Sequence, residues 1–212
     1  MKGITASDAI SMVLPFIAER KLNEIPVGVS ARHVHLSTDH IDVLFGQGYP
    51  LQILKELSQP GQFAAKETVM LAGPKSVIDK VRILGPARRK TQVEVSLTDA
   101  QRLGVSPPIR DSGDLNGSSP ITIIGPKGSI YLHEGVIIAN RHIHMSEEEA
   151  LQFQVQDGDG VLVMSQSERP ILFSDVNIRV SSRYRLEFHI DTDEANAAKL
   201  KTDDLVLLIK KD

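Results

Sequence analysis

Apolar and polar positions alternate along this chain in short stretches, which predicts many short strands and few helices. Strand patterns fall at Val27–Val29, Thr68–Leu71, Val77–Leu84 and Thr91–Val95. They resume at Ile121–Ile124, Ser129–Leu132, Val136–Ile138, Val161–Met164, Ile171–Phe173, Asn177–Val180, Arg185–Ile190 and Leu205–Ile209. Helical spacing is confined to short pieces. Residues 5–20 place Ile10, Val13, Leu14 and Ile17 on one stripe, with Pro15 as a kink. Ser37-Thr38-Asp39 reads as an N-cap before Ile41, Leu44 and Phe45, with Gly46 or Gly48 ending that helix. Further helix starts lie at Thr98 (closed by Gly104), Ser146 and Asp193. Residues 50–66 are mixed, with a turn at Gln59–Gln62. Residues 104–120 carry three prolines and three glycines and read as a linker between halves.

One stretch occurs twice. Arg32-His33-Val34-His35-Leu36-Ser37 returns as Arg141-His142-Ile143-His144-Met145-Ser146, each after an apolar run and before a polar helix start. The offset from His33 to His142 is 109 residues. A second match, Val93–Ala100 with Phe188–Ala195, has an offset of 95 and sets Glu94 equivalent to His189. The second half has therefore lost about 14 residues, expected in loops. The fold class expected is mainly β with short α caps: two pseudo-symmetric small β-barrel domains from an internal duplication, plus an N-terminal helix. The expected division is 1–20 as that helix, 21–30 as a strand crossing into the second barrel, 31–140 as the first barrel and 141–212 as the second.

Composition narrows the chemistry. Four of the seven histidines sit in the two motifs, and a His-x-His pair on an extended segment puts both rings on one face. There is no cysteine, so any metal must be held by His, Asp or Glu. The candidate ligands are His33, His35, Glu94, His142, His144 and His189, enough for two ions with open positions. Nitrogen and oxygen donors suit zinc, with cobalt, manganese or iron as other divalent choices. His40 and His133 lack repeat partners and read as surface residues. The run Arg88-Arg89-Lys90 beside Glu94 could grip an anion. A net charge of −3 and no tryptophan argue against nucleic acid, and no apolar run is long enough for a membrane span. A cytoplasmic protein is the expectation.

The segments Val27–Ser37, Leu84–Arg88, Thr91–Ser96 and Glu134–Met145 together resemble the PduL-type phosphotransacylases, the phosphate propanoyltransferases associated with bacterial microcompartments. The resemblance runs from about residue 22 to the C-terminus. It implies two capped β-barrels with a dinuclear zinc site between them, held by the six ligands above. It also implies that Arg88 binds phosphate, and that Ser30, Lys55, Arg82, Leu84 and Asn196 contact coenzyme A. The implied reaction joins a short-chain acyl-CoA (propanoyl-CoA or acetyl-CoA) and phosphate to give acyl phosphate and coenzyme A. Residues 1–20 are compatible with an encapsulation peptide that docks on microcompartment shell or core proteins, and a homodimer fits the family. The rival readings are a dinuclear metal-dependent thioester or phosphoester hydrolase, and a non-catalytic module stapled by metals.

Overall fold

The computed structural model describes residues 24–210, so the expected N-terminal helix over 5–20 and its encapsulation role lie outside the described residues. The described chain forms two compact units. One holds Ser30–Asn140 with Ile190–Asp193, and the other holds the remaining described residues.

In the first unit six strands close a ring: β4 (Phe63–Ala72), β5 (Val77–Gly85), β2 (His33–His35), β6 (Gln92–Glu94), β9 (Ser129–Ala139) and β8 (Ser119–Ile124), which returns to β4. β3 (Ile53–Glu56) adds to the start of β4, and β7 (Ile109–Arg110) to the end of β9. Val34, Leu71, Ile83, Val93, Ile121, Ile123 and Val136 fill the interior at 3% exposure or less. The second unit is a closed six-stranded barrel in the order β1 (Glu24–Ser30), β13 (Glu187–Asp191), β10 (His142–Met145), β12 (Leu172–Val180), β11 (Gly160–Ser165), β14 (Leu205–Ile209). Ile25, Val27, Ile143, Val163, Val176, Phe188 and Val206 fill it. The strand before each motif serves the other motif's barrel: β1 precedes His33 but pairs in the second barrel, and β9 precedes His142 but pairs in the first. This mainly β duplication is the fold class that the strand pattern predicts.

Among the described residues, four short helices accompany the barrels: α1 (Thr38–Phe45), α2 (Leu97–Leu103), α3 (Glu147–Phe153) and α4 (Thr192–Ala198). Ser37, Ser96 and Ser146 each cap a helix, their hydroxyls accepting from the backbone N–H three residues on. At Ser146 the Glu149 carboxylate closes a full capping box. The duplication extends to backbone detail. Lys80 in β5 and Asp175 in β12, 95 apart, both adopt left-handed φ (53° and 52°) beside a register shift.

Three sequence expectations change. The difference of about 14 residues is not an ordinary loop: it falls between α1 and β4 and carries the strand β3. Residues 104–120 do not divide the chain, because they carry β7 and lie inside the first unit. Ser129–Leu132 and Val136–Ile138 are one strand, β9, whose register with β8 shifts across Gly135, where a φ of 148° and the close Leu132 side chain leave no room for a Cβ.

Candidate metal centre

The first motif becomes β2, where alternation puts His33 and His35 on one face with Val34 turned to the core. The antiparallel neighbour β6 sets Glu94 opposite His33 and Gln92 opposite His35. Both imidazoles are buried, their rings edge to face at 5.0 Å. His33 Nδ1–H donates to the Ala31 carbonyl at 2.8 Å, and His35 Nδ1–H to the Leu84 carbonyl at 3.2 Å. That fixes the tautomers and leaves both Nε2 atoms as ligand atoms, the usual arrangement for metal-bound histidine. His33 Nε2 lies 3.4 Å from Glu94 Oε2. One donor atom from each of His33, His35 and Glu94 falls within 4.8 Å of the other two. Two imidazoles and a carboxylate so arranged fit a zinc-type ion with an open position.

Glu94 is held from behind. Its Oε1 accepts from Gln92 Nε2 and, at 3.3 Å, from the Ser112 hydroxyl. Gln92 also donates to Ser112 Oγ at 2.8 Å and accepts from the Gly113 N–H at 2.7 Å. Arg88 Nη1 donates to the same Ser112 Oγ at 3.0 Å. The Arg88 backbone N–H is fixed on the Leu36 carbonyl at 2.8 Å, so the arginine is pinned beside the motif strand. Sequence reasoning missed Gln92 and Ser112. Gln92 carried a signal, two positions before Glu94 on the same strand face, but Ser112 lies in an irregular loop and carried none.

Electrostatics follow from burial and these pairings. Burial pushes the Glu94 carboxyl up, but the His33 charge and hydrogen bond outweigh it and hold the group well below the usual carboxylate range. Burial works against charge on His33 too, and Glu94 overcomes it, so that imidazole sits above its ordinary value. His35, desolvated and beside the charges of His33 and Arg88, is pushed down to about 3.

The second motif forms β10, and its neighbour β13 places His189 opposite His142, as Glu94 stands opposite His33. The register therefore supports the equivalence of Glu94 and His189. The three rings of His142, His144 and His189 cluster with centroids 4.7–5.0 Å apart. Two buried ring nitrogens there, His144 Nδ1 and His189 Nε2, make no hydrogen bond. His189 Nε2 lies 2.8 Å from Glu187 Oε2 but outside hydrogen-bond geometry. Buried nitrogens without partners are costly, and a metal ion would satisfy them. Among the described residues, only the first set brings three donor atoms within 4.8 Å. Tyr184 stacks on His144 at 4.1 Å and 17°. Glu187, equivalent to Gln92, packs so close to Gly28 that a Cβ there would lie 2.7 Å from its carboxyl carbon. Tyr184 and Glu187 also went unread in the sequence. His144 is pushed down to about 3 by burial, then by the charges of His189 and Arg179.

These low values make metal-free stability pH-dependent. A histidine whose folded pKa lies below 6.5 resists protonation when folded, so stability drops as pH falls from about 6.5 toward 3. With two such groups, thermal unfolding of metal-free protein between pH 7.5 and 4.5 should show a loss on the order of a few kcal/mol. The loss should shrink in His35→Phe and His144→Phe.

The remaining candidates lie on several elements, with Arg82 opposite His33 across β5 and β2. Lys55 on β3 and Leu84 on β5 both pair with Ala64 of β4, forming one row across three strands. Arg82 on β5 turns its Nη1 onto the Ala65 and Lys66 carbonyls of β4, both at 2.8 Å. Ser30 is half-buried at the end of β1, and Asn196 is exposed on α4. His133 is exposed, but His40 is not a surface residue: it is half-buried, with Nδ1 2.7 Å from Thr91 Oγ1, and burial lowers its pKa.

The family model of phosphate propanoyltransferase matches residues 26–201. Over 192 residues the chain is 57% identical to the phosphate propanoyltransferase of Thermotoga maritima, spanning 90% of this chain and 91% of that protein. The protein of that name from Lachnoclostridium phytofermentans is 54% identical over 203 residues, 93% of this chain and 95% of its own. The one from Listeria monocytogenes is 44% identical over 207 residues, 97% of each.

Proposed function

The chain belongs to the phosphate propanoyltransferase family, and from that premise we propose an acyl exchange between coenzyme A and phosphate at its histidine sets. It is an acyltransferase that uses phosphate. The acyl donor is propanoyl-CoA or acetyl-CoA. The observation that carries the reading is the His33–His35–Glu94 set, both imidazoles buried, with Arg88 tied to the serine that braces Glu94.

His33, His35 and Glu94 hold one divalent ion, and His142, His144 and His189 a second. When bound, zinc supplies Lewis acidity toward a carbonyl or phosphoryl oxygen. Arg88 grips the phosphate through parallel N–H donors and presents one of its oxygens to the thioester carbonyl carbon. The new C–O bond forms, the C–S bond breaks, and the sulfur leaves as the coenzyme A thiolate. The Arg88 charge also offsets the negative charge that gathers on the carbonyl oxygen. With no cysteine in the chain for a thioester intermediate, phosphate attacks directly while both substrates are bound. Ser30, Lys55, Leu84 and Asn196 contact coenzyme A, and Arg82 does so from a guanidinium already anchored on β4. The same reading gives residues 1–20 the encapsulation role inside a microcompartment, and makes the protein a homodimer.

Thiol release from acetyl-CoA and propanoyl-CoA, with and without phosphate, alongside elemental analysis of the purified chain, tests this. Phosphate-dependent release and two divalent ions per chain are expected. A phosphate-independent rate would identify a hydrolase instead.

A further inference from the structure

The arginine that opens each motif has no place in the reading above, yet both copies make the same kind of bond. Arg32 Nη1 sits 3.1 and 3.3 Å from the two carboxylate oxygens of Asp99, in the first turn of α2. Arg141 Nε sits 2.9 Å from Glu194 Oε1, in the first turn of α4. In each half the arginine directly precedes the first motif histidine. In each half the acid lies five residues beyond the third candidate ligand, Glu94 or His189. Asp99 is only 6% exposed, and a carboxylate so buried requires a charged partner. Arg141 is held a second time, its guanidinium 5.8 Å from the centre of the Phe173 ring.

We infer that Arg32 and Arg141 are positioning residues, each of which locks the ligand pair of its own motif in register with the third ligand of the same set. The inference rests on the metal reading above. The mechanical logic is short. The His-x-His strand and the third-ligand strand pair over only three residues in each unit, His33–His35 with Gln92–Glu94 and His142–His144 with Glu187–His189. So short a ladder puts few bonds directly between the two ligand-bearing strands, whose other edges pair elsewhere in the ring. The ion pair adds a side-chain tie from the residue before the first ligand to the helix just past the third. Loss of a group that hydrogen-bonds a ligand typically weakens metal binding about 10–100-fold, and this tie, which holds the strands that carry the ligands, is expected to act on that scale.

The test is competition of the full chain against a chromophoric zinc chelator, with thermal melts of metal-free protein alongside. Wild type should take two zinc ions. Arg32→Ala and Asp99→Asn should each weaken one of them about 10–100-fold and leave the other unchanged. Arg141→Ala should weaken one and leave the other unchanged too, and the Arg32→Ala/Asp99→Asn double variant should be no worse than either single. The metal-free melting temperature of Asp99→Asn, which removes the buried charge and conserves shape, should stay near that of wild type. Arg32→Ala leaves the Asp99 carboxylate buried without its partner, should melt lower, and is read through its zinc affinity. Asp99→Asn reports even if Arg32→Ala fails to fold. Variants that bind both ions as wild type does, or that only lower the metal-free melting temperature, overturn the inference alone. A wild type that takes no zinc overturns it together with the metal reading.

Discussion

Glu94→Ala should leave the protein with one divalent ion instead of two and cut phosphate-dependent thiol release by more than about 100-fold. The lower bound comes from outer-sphere partners, whose loss already costs about 10–100-fold in affinity or activity. Removal of a ligand atom must exceed that. Glu94→Gln should do nearly as much. It preserves the shape that Gln92 and Ser112 grip, but an amide oxygen carries no charge for the ion. The metal-free variants should also show where the His33–Glu94 pair matters. Glu94 has its folded pKa depressed from 4.5, so its contribution is present above that value and lost as pH falls. His33 has its folded pKa raised from 6.5, so its contribution is complete below 6.5 and lost as pH climbs through the folded value. The window where both apply runs from about 4.5 up to the raised folded value of His33, and there the metal-free melting temperature of Glu94→Ala should fall furthest below wild type. Elemental analysis and melts across pH would measure both effects. An unchanged ion count would remove Glu94 from the ligand set.

What the sequence disclosed was whatever repeats or alternates. The His-x-His pairs, the equivalence of Glu94 with His189 and the serine caps are patterns of residue type at fixed spacing, and the structure has each of them in register. β3 escaped because an edge strand with all four residues exposed has no inward face, hence no alternation. β7 is two residues long and follows two prolines, below any threshold of periodicity. The strand pattern of β9 splits in two because His133 and Glu134 are exposed between two apolar runs. The bracing of Glu94 by Ser112 joins residues 18 apart through a loop, so only the folded chain shows it. The Arg32 and Arg141 pairs are different. The arginines stand in the motif itself, but their partners lie 67 and 53 residues away and meet them only in the folded chain.

Arg88→Ala should separate phosphate handling from metal binding. Arg88 contributes no ligand atom; its Nη1 meets Ser112, and its charge depresses both His35 and Glu94. The variant should therefore keep two divalent ions while kcat/KM for phosphate falls by about 10²–10³, the usual effect of losing one fixed donor at a site of developing charge. Arg88→Lys restores charge but not the planar fork, so it should recover only part of that loss, chiefly in KM. His35 would feel the loss as well: without the neighbouring cation its pKa should rise from about 3, though burial still keeps it below 6.5. Steady-state thiol release with phosphate varied, read beside metal content, makes the distinction. If Arg88→Ala lost the ion along with the activity, the arginine would be bracing Glu94 through Ser112 rather than meeting phosphate. If a phosphate-independent rate survived at full strength, the attacking group would be water, and the arginine would have no part in the transfer.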